Sequence, residues 1–434
     1  MAIASAARAL AARPRTAIST VAVVVPLQGC PYAGGFARRG VRTIAVMLSP
    51  RLRPLDLPAD TNTSYADTVE HHGSLRLTVK ALRAMGVSAV VPGSAAGVEL
   101  AERIAWHLGR PSADPASSPL RYDRGAQATA LERAGVPALR GVRSSSLAEA
   151  LRWADAANLD GYSLAPATVG TPVPAVLCAN EREIEAAWPA LRRAAARHSG
   201  AAQMVLTERV APRAYVIHSV TAPGPAGLPE HGITDVWSEV RDRDGALDRT
   251  DLLDRGQLLT RALSMYVLRV LDVLGVACGP VTCRVVFSEG RGPLLVSALA
   301  APPPLSPADA VMRAAIGADP VARAVDAWLP APTAEPHSSP LRRRVVRVHL
   351  RTAPNALLGR IVRRLPTVAA VSDDLAEGAG TPAVADQSEV VLSSSAPEAV
   401  ETDYRVLRAL ERETLARKTA HKRGAPTDHF PTAS

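Results

Sequence analysis

A chain of 434 residues, 47% hydrophobic and 21% charged, exceeds one ordinary core and reads as two or three globular domains rather than a disordered or fibrous protein. Its four cysteines, Cys30, Cys178, Cys278 and Cys283, form no C-x-x-C pair, which argues against a zinc site or a disulfide framework and suits reduced thiols in a cytoplasmic protein. The formal charge of +9 would suit nucleic acid, but the basic residues are spread over every segment and aromatics are only 3%, so a nucleic-acid partner is not expected.

Residues 1–18 are rich in Ala and Arg, lack acids and read as a flexible leader. TVAVVVPL from Thr20 is a buried strand, too short for a membrane span. A short helix follows, then the strand VRTIAVML, the amphipathic helix GSLRLTVKALRAMG, the strand VSAVVPGS and the helix AAGVELAERIAWHLG closed by Gly109. This alternation predicts a parallel sheet with helices on its faces over 19–115. A Pro/Ser-rich stretch at 109–119 marks a boundary.

Over 116–330 the pattern is mixed α+β. A helix ends at Gly135, a Ser-capped helix runs to Gly161, and GYSLAPATVG reads as a strand entering a Gly-containing loop. A further helix spans 181–198. MVLTERVAPRAYVIHSV is strand, bend, strand, and GITDVWSEVRDRDG is a strand and charged loop. The apolar-striped helix LLTRALSMYVLRVLDVLG precedes two strands joined by the hairpin signal SEGRG. Helical segments at 307–329, a small β-containing module over 331–416 that ends in the helix DYRVLRALERETLARKTA, and a disordered tail at 417–434 complete the chain.

The order of these segments resembles the ATP-grasp superfamily, in particular the carboxylate–amine ligases of the L-amino-acid ligase and dapdiamide-synthetase type. VVPGSAAGVELAERIAWHLG resembles the end of the pre-ATP-grasp domain, and LRYDRGAQATALERAGVP the family's R-x-D-K-x-x-M helix. VLTERVAPRAYVIHSV is similar to the hinge Q-E-x-L-x-G-x-E-Y-x-V-D, and TDVWSEVR to D-I-W-x-Y-x-K. YVLRVLDVLGVACGPVTCRVV resembles L-D-A-L-G-x-x-x-G-P-x-H-x-E-V, and DYRVLRALERE the last helix. The resemblance runs from about residue 20 to 415. It implies an α/β, ATP-grasp-like fold: a parallel pre-ATP-grasp domain, a central two-subdomain ATP-grasp unit and a C-terminal module.

The family joins a carboxylate to an amine through an acyl phosphate, with two lysines on ATP and acidic or amide side chains on magnesium. Carried over residue by residue, the nucleotide-contacting positions are Arg124 for the first lysine, Glu208 and Val210 at the hinge, and Arg241 for the lysine after D-I-W-x-Y. The second lysine falls on Ala165 and the ribose-binding Glu on Ala214. The hinge Gly falls on Pro212, and the Asp that ends the motif on His218, a lone histidine that reads as structural. The two metal acids fall on Arg284 and Ser297, the histidine before them on Thr282, and the residues beyond on Leu299 and Ala301.

Two absences hold in any register. The lysines are Lys80, Lys418 and Lys422, so none lies between 81 and 417, and Glu289 is the only carboxylate between Asp272 and Asp309. The abundance of Ala, Arg, Gly and Pro, typical of a GC-rich, actinobacterium-like genome, explains Lys-to-Arg exchange but not Lys-to-Ala. A guanidinium in place of a metal ligand repels a dication: even two unit charges about 4 Å apart interact at roughly 4 kcal/mol at an effective dielectric of 20. The expectation is a degenerate ATP-grasp protein with no catalytic residues, no metal site and at most weak ATP binding. It would serve as partner to an active paralogue or pathway enzyme, or bind a small amino acid or peptide in natural-product metabolism. The alternative is an active ligase with an Arg-based site at Arg124, Arg241 and Arg284.

Overall fold

The computed structural model of the chain describes residues 19–423 except 28, 58–63, 211–212, 225–227, 243–244, 303–308, 330–339, 352–360 and 372–388. The leader expected over 1–18, the chain beyond 423 and Pro212 lie outside the described residues.

Three sheets organise the fold. The first contains β1 (Thr20–Val24), β2 (Arg42–Leu48), β3 (Asp67–His71) and β4 (Ala89–Pro92), all parallel, in the order β3-β2-β1-β4. Every residue of β1 is buried. A central parallel strand is covered on both faces, so it reads as an unbroken apolar run. Helix α1 (Tyr32–Ala37) covers one face with Tyr32 and Phe36. Helices α2 (Leu75–Ala84) and α3 (Val98–Leu108) cover the other with Val79, Leu82, Ala101 and Ile104. Ser74 caps α2 by accepting a hydrogen bond from the Leu77 amide, and Gly109 ends α3 in the left-handed region.

After α4 (Arg124–Arg133) comes a small antiparallel sheet in the order β5-β8-β6-β7, formed by β5 (Gly141–Ser144), β6 (Tyr162–Pro166), β7 (Val176–Cys178) and β8 (Met204–Glu208). Helices α5 (Leu147–Ala157) and α6 (Glu181–Ser199) pack on one face against Tyr162, Leu164 and Leu206. Because side chains alternate along a strand, Ser163, Ala165, Val205 and Thr207 lie on the opposite face.

The third sheet is antiparallel and eight-stranded, in the order β13-β12-β9-β10-β11-β14-β16-β15. It comprises β9 (Ala214–Pro223), β10 (Pro229–Arg241), β11 (Leu247–Leu252), β12 (Gly279–Ser288), β13 (Gly292–Leu299), β14 (Arg344–His349), β15 (Val368–Val371) and β16 (Glu389–Ser394). The three C-terminal strands thus extend the central sheet. Helix α7 (Leu258–Val273) buries one face with Leu263, Val267 and Val270 against Ile217, Val236 and Cys283. Helices α8 (Asp309–Ile316) and α9 (Pro320–Asp326) follow; α8 packs on the other face, against Trp237, Val345 and Val391. The last helix, α10 (Pro397–Arg423), covers Val346, Val348 and Leu392 on the α7 side.

Arg121 fastens the first unit to the rest. It is 2% exposed. Its Nη2 donates to Glu102 Oε2 of α3 at 2.8 Å and to the Asp114 carbonyl at 2.8 Å, and its Nη1 donates to the Leu274 carbonyl at 3.1 Å. Among the described residues, no helix is long and apolar enough to cross a membrane.

Candidate functional site

The last strand of the small sheet, β8, ends at Glu208, and the large sheet's β9 begins at Ala214. The face of the large sheet opposite α7 starts there and reads in rows. In the first row Ala214 pairs with Glu239 and Val286. In the second, Val216 pairs with Trp237 and Arg284, and Arg284 pairs with Ser297. In the third, His218 pairs with Asp235 and Thr282, and Thr282 pairs with Leu299. Each step is two residues, or about 7 Å.

Glu239 holds the middle of this face. It is 7% exposed, and its Oε2 lies 2.6 Å from Arg284 Nη2 and 3.3 Å from Arg241 Nη2. Arg241 also donates from Nη1 to the Gly245 carbonyl at 2.7 Å. Arg347 of β14 stacks at 5.8 Å over the Trp237 ring and makes two 2.7 Å bonds to Glu389.

Arg124 reaches the same region from the start of α4. Its Nη1 donates to the carbonyls of Pro166, which ends β6, and of Thr168 in the loop that follows. Burial first, and the charge of Arg284 second, push its guanidinium down to about 10. Ala165, 7% exposed, stands beside Val205 on the helix-free face of the small sheet, which it shares with Ser163 and Thr207 and where it carries no charge.

The hinge residues divide in role. The Glu208 carboxylate accepts from the Arg140 amide at 2.8 Å, from Arg140 Nε at 3.1 Å and from Arg291 Nη2 at 2.8 Å. Arg291 belongs to the β12–β13 turn, so Glu208 ties the small sheet to the large one. Val210 lines a cavity of about 900 Å³ together with Leu177, Arg213, Glu239, Arg241 and Arg344. Of the sequence-derived positions, Ala214, Arg284 and Ser297 share one face of the large sheet, Arg241 joins Arg284 through Glu239, and Arg124 lies near Arg284. Val210 lines the cavity, Glu208 joins the two sheets, and Leu299 stands in the third row.

Magnesium demands oxygen ligands, usually one or two carboxylates beside phosphates. Here Arg284 faces Ser297, the nearby carboxylate already binds two guanidinium groups, and the described residues contain no group of three or more His, Cys, Asp or Glu able to hold a metal. These residues do not fit a magnesium ion.

Two features escaped the motif reading. Glu239 stands where the family motif has Tyr, two residues before Arg241, a period-two spacing that sets both on one face of a strand. His218, read as a lone histidine, is one half of a buried pair. Its Nδ1 lies 2.5 Å from Asp235 Oδ1, and Asp235 also accepts from Trp237 Nε1 at 2.5 Å and from Thr234 Oγ1 at 2.9 Å. The pairing needs the register shift between Ile233 and Asp235, which no motif announces.

Burial alone would raise the Asp235 carboxyl, but the His218 ring and the three hydrogen bonds outweigh it and hold the group below the ordinary value of 3.8. A carboxyl depressed on folding contributes stability that is complete above its unfolded value and lost as pH falls through its folded value. Urea denaturation from pH 6 down to pH 2.5 is therefore expected to show an acid loss of stability that is smaller in Asp235→Asn.

No protein-family model matches the chain, and no curated protein matches it in sequence. Solved structures do. The L-amino acid ligase from Bacillus licheniformis superposes with a TM-score of 0.67 at 13% identity, covering 91% of this chain and 98% of the ligase. The ADP complex of an N5-carboxyaminoimidazole ribonucleotide synthetase gives 0.68 at 15% identity, covering 92% and 99%. The biotin carboxylase domain of the Hydrogenobacter thermophilus 2-oxoglutarate carboxylase gives 0.59 at 13% identity, covering 88% and 87%. At these identities the likeness is one of fold: the chain shares the fold of these ligase and carboxylase structures over about nine-tenths of its length.

Proposed function

We propose that this protein is a degenerate ATP-grasp protein that binds a small molecule, or an active paralogue, in peptide or natural-product metabolism, and does not perform magnesium-dependent ligation. The observation that carries this reading is the Arg284–Glu239 ion pair. A guanidinium stands at the metal position, and the nearest acid is already committed to it. The apolar Ala165 and Ala214 remove two further nucleotide contacts. A charge-assisted hydrogen bond is worth about 1.5–3 kcal/mol, so losing the lysine at Ala165 alone weakens ATP binding by at least about tenfold.

Calorimetry of the full chain with ATP, with and without magnesium, tests the reading, alongside an assay for ADP and phosphate in the presence of amino acids. Weak or absent ATP binding that magnesium does not improve is expected, with no turnover. Magnesium-enhanced micromolar binding, or turnover that Arg284→Ala abolishes, would contradict it.

The nearness of Arg124 and Arg284 favours a second reading, in which arginines in place of a metal stabilise phosphoryl transfer. Product formation with magnesium chelated would support that reading over the first.

A further inference from the structure

Two of the four cysteines, Cys178 and Cys283, are fully buried. Burial pushes both thiols up, that of Cys283 to about 12, so neither ionises readily. Cys30 and Cys278 differ: both are only partly buried, and both stand in loops. Cys30 lies between β1 and α1 of the first unit, and Cys278 immediately precedes β12, the strand that carries Arg284.

The fold brings these two thiols to one place, the side chain of Trp328, just beyond α9. Cys30 and Trp328 both pack on the buried cluster that contains Tyr32. Trp328 Nε1 donates to the Tyr32 hydroxyl at 3.3 Å. Cys278 Sγ lies 3.2 Å from the carbonyl of Ala327, the residue before Trp328. The Trp328 ring also crowds Gly279, the residue after Cys278: a Cβ added there would stand 2.2 Å from the ring. Burial pushes the Tyr32 hydroxyl above its ordinary value, the Trp328 bond offsets part of this, and the charges of Cys30 and Cys278 both raise it further. Both thiols thus act on one buried hydroxyl. Cys278 also borders a cavity of about 30 Å³, together with Trp328, Ser112, Glu102 and Arg121. One water needs about 10–15 Å³, so this space admits a molecule of about two heavy atoms, the size of hydrogen peroxide.

We propose that Cys30 and Cys278 are a redox-active pair that hydrogen peroxide converts into a disulfide, joining the first unit to the start of β12. The Cys278 thiolate attacks one peroxide oxygen. The O–O bond breaks, the second oxygen takes up a proton and leaves as water, and a sulfenic acid remains on Cys278. The Cys30 thiolate then attacks that sulfur, and the S–O bond breaks as the S–S bond forms, releasing a second water. In total two thiols give up two electrons and two protons, and one peroxide is reduced to two waters. A disulfide needs its Cβ atoms about 3.5–4.5 Å apart, and loops on both sides can settle into that spacing without breaking a strand pair. The bond ties the strand carrying Arg284 to the first sheet, so oxidation reaches the face of the large sheet described above. The assignment is independent of nucleotide, metal and any ligand of that face.

The test treats the reduced full chain with hydrogen peroxide, alkylates the remaining thiols in denaturant and reads the products by mass spectrometry. The thiol titre is expected to fall from four to about two per chain, with one cross-linked peptide pair joining Cys30 to Cys278 and with Cys178 and Cys283 recovered as thiols. The thermal unfolding midpoint is expected to rise, because the link closes a long loop, and dithiothreitol to reverse both changes. In Cys30→Ser a sulfenic acid is expected to persist on Cys278, where dimedone traps it, and Cys278→Ser is expected to form no cross-link. A titre that stays at four in the unmutated chain, a cross-link through Cys178 or Cys283, or a Cys30–Cys278 link that lowers the midpoint would overturn the proposal. The titre and the cross-link map use the unmutated protein, so they decide the matter even where a variant does not fold.

Discussion

Glu239→Gln is expected to destabilise the protein by about 2 kcal/mol and, at the same time, to increase its affinity for pyrophosphate about tenfold. The two effects share one cause. Glu239 is the counter-charge for Arg284 and Arg241. Removing its charge leaves two guanidinium groups near each other, with Arg124 close to one of them. The penalty sits at the lower end for a broken ion pair because Arg284 and Arg241 keep 32% and 33% of their side-chain surface in solvent, which screens them. The same vacated guanidinium donors then meet an incoming polyanion without first releasing a carboxylate, so less of the binding energy is lost to rearrangement. Urea denaturation measures the first effect, and calorimetry with pyrophosphate in a chelating buffer the second. Loss of stability with unchanged pyrophosphate affinity would mean that these arginines do not face an anion site.

Glu102→Ala is expected to cost more, about 3–5 kcal/mol. Arg121 is almost fully buried, and Glu102 is its only carboxylate partner among the contacts described above. Truncating Glu102 leaves a guanidinium in a site with two backbone carbonyls and a serine, but no compensating charge. Replacing both residues, as Glu102→Leu with Arg121→Met, removes the stranded charge and should recover much of the loss. Equilibrium unfolding of the three proteins distinguishes the cases. Equal destabilisation by the single and double changes would show that shape, and not charge, governs this junction.

Much of the architecture could be read from local pattern because local pattern causes it. The apolar run at Val21–Val24 and the 3.6-residue periodicity of 75–84 and 98–108 specify a covered parallel sheet. Strand β3 went unread because DTVEH lies at a sheet edge, where polar residues alternate and protect against pairing. The extension of the central sheet by β14 and β16 depends on pairing across some hundred residues, between Asp251 and Val346, which no local signal encodes. That no lysine lies between 81 and 417 and that Glu289 is the only carboxylate between Asp272 and Asp309 was legible because such absences need no register. The Glu239 ion pairs and the His218–Asp235 pair were not, since both depend on how β9, β10 and β12 align.

The triple engagement of Glu208 has a mechanical meaning. One carboxylate grips Arg140 at the edge of the small sheet and Arg291 at the tip of the hairpin from the large sheet. Of these contacts only the Glu208–Arg291 pair spans the two sheets, so moving the small sheet away from that hairpin breaks one ion pair with a 39% exposed arginine, at a cost of about 1 kcal/mol or less.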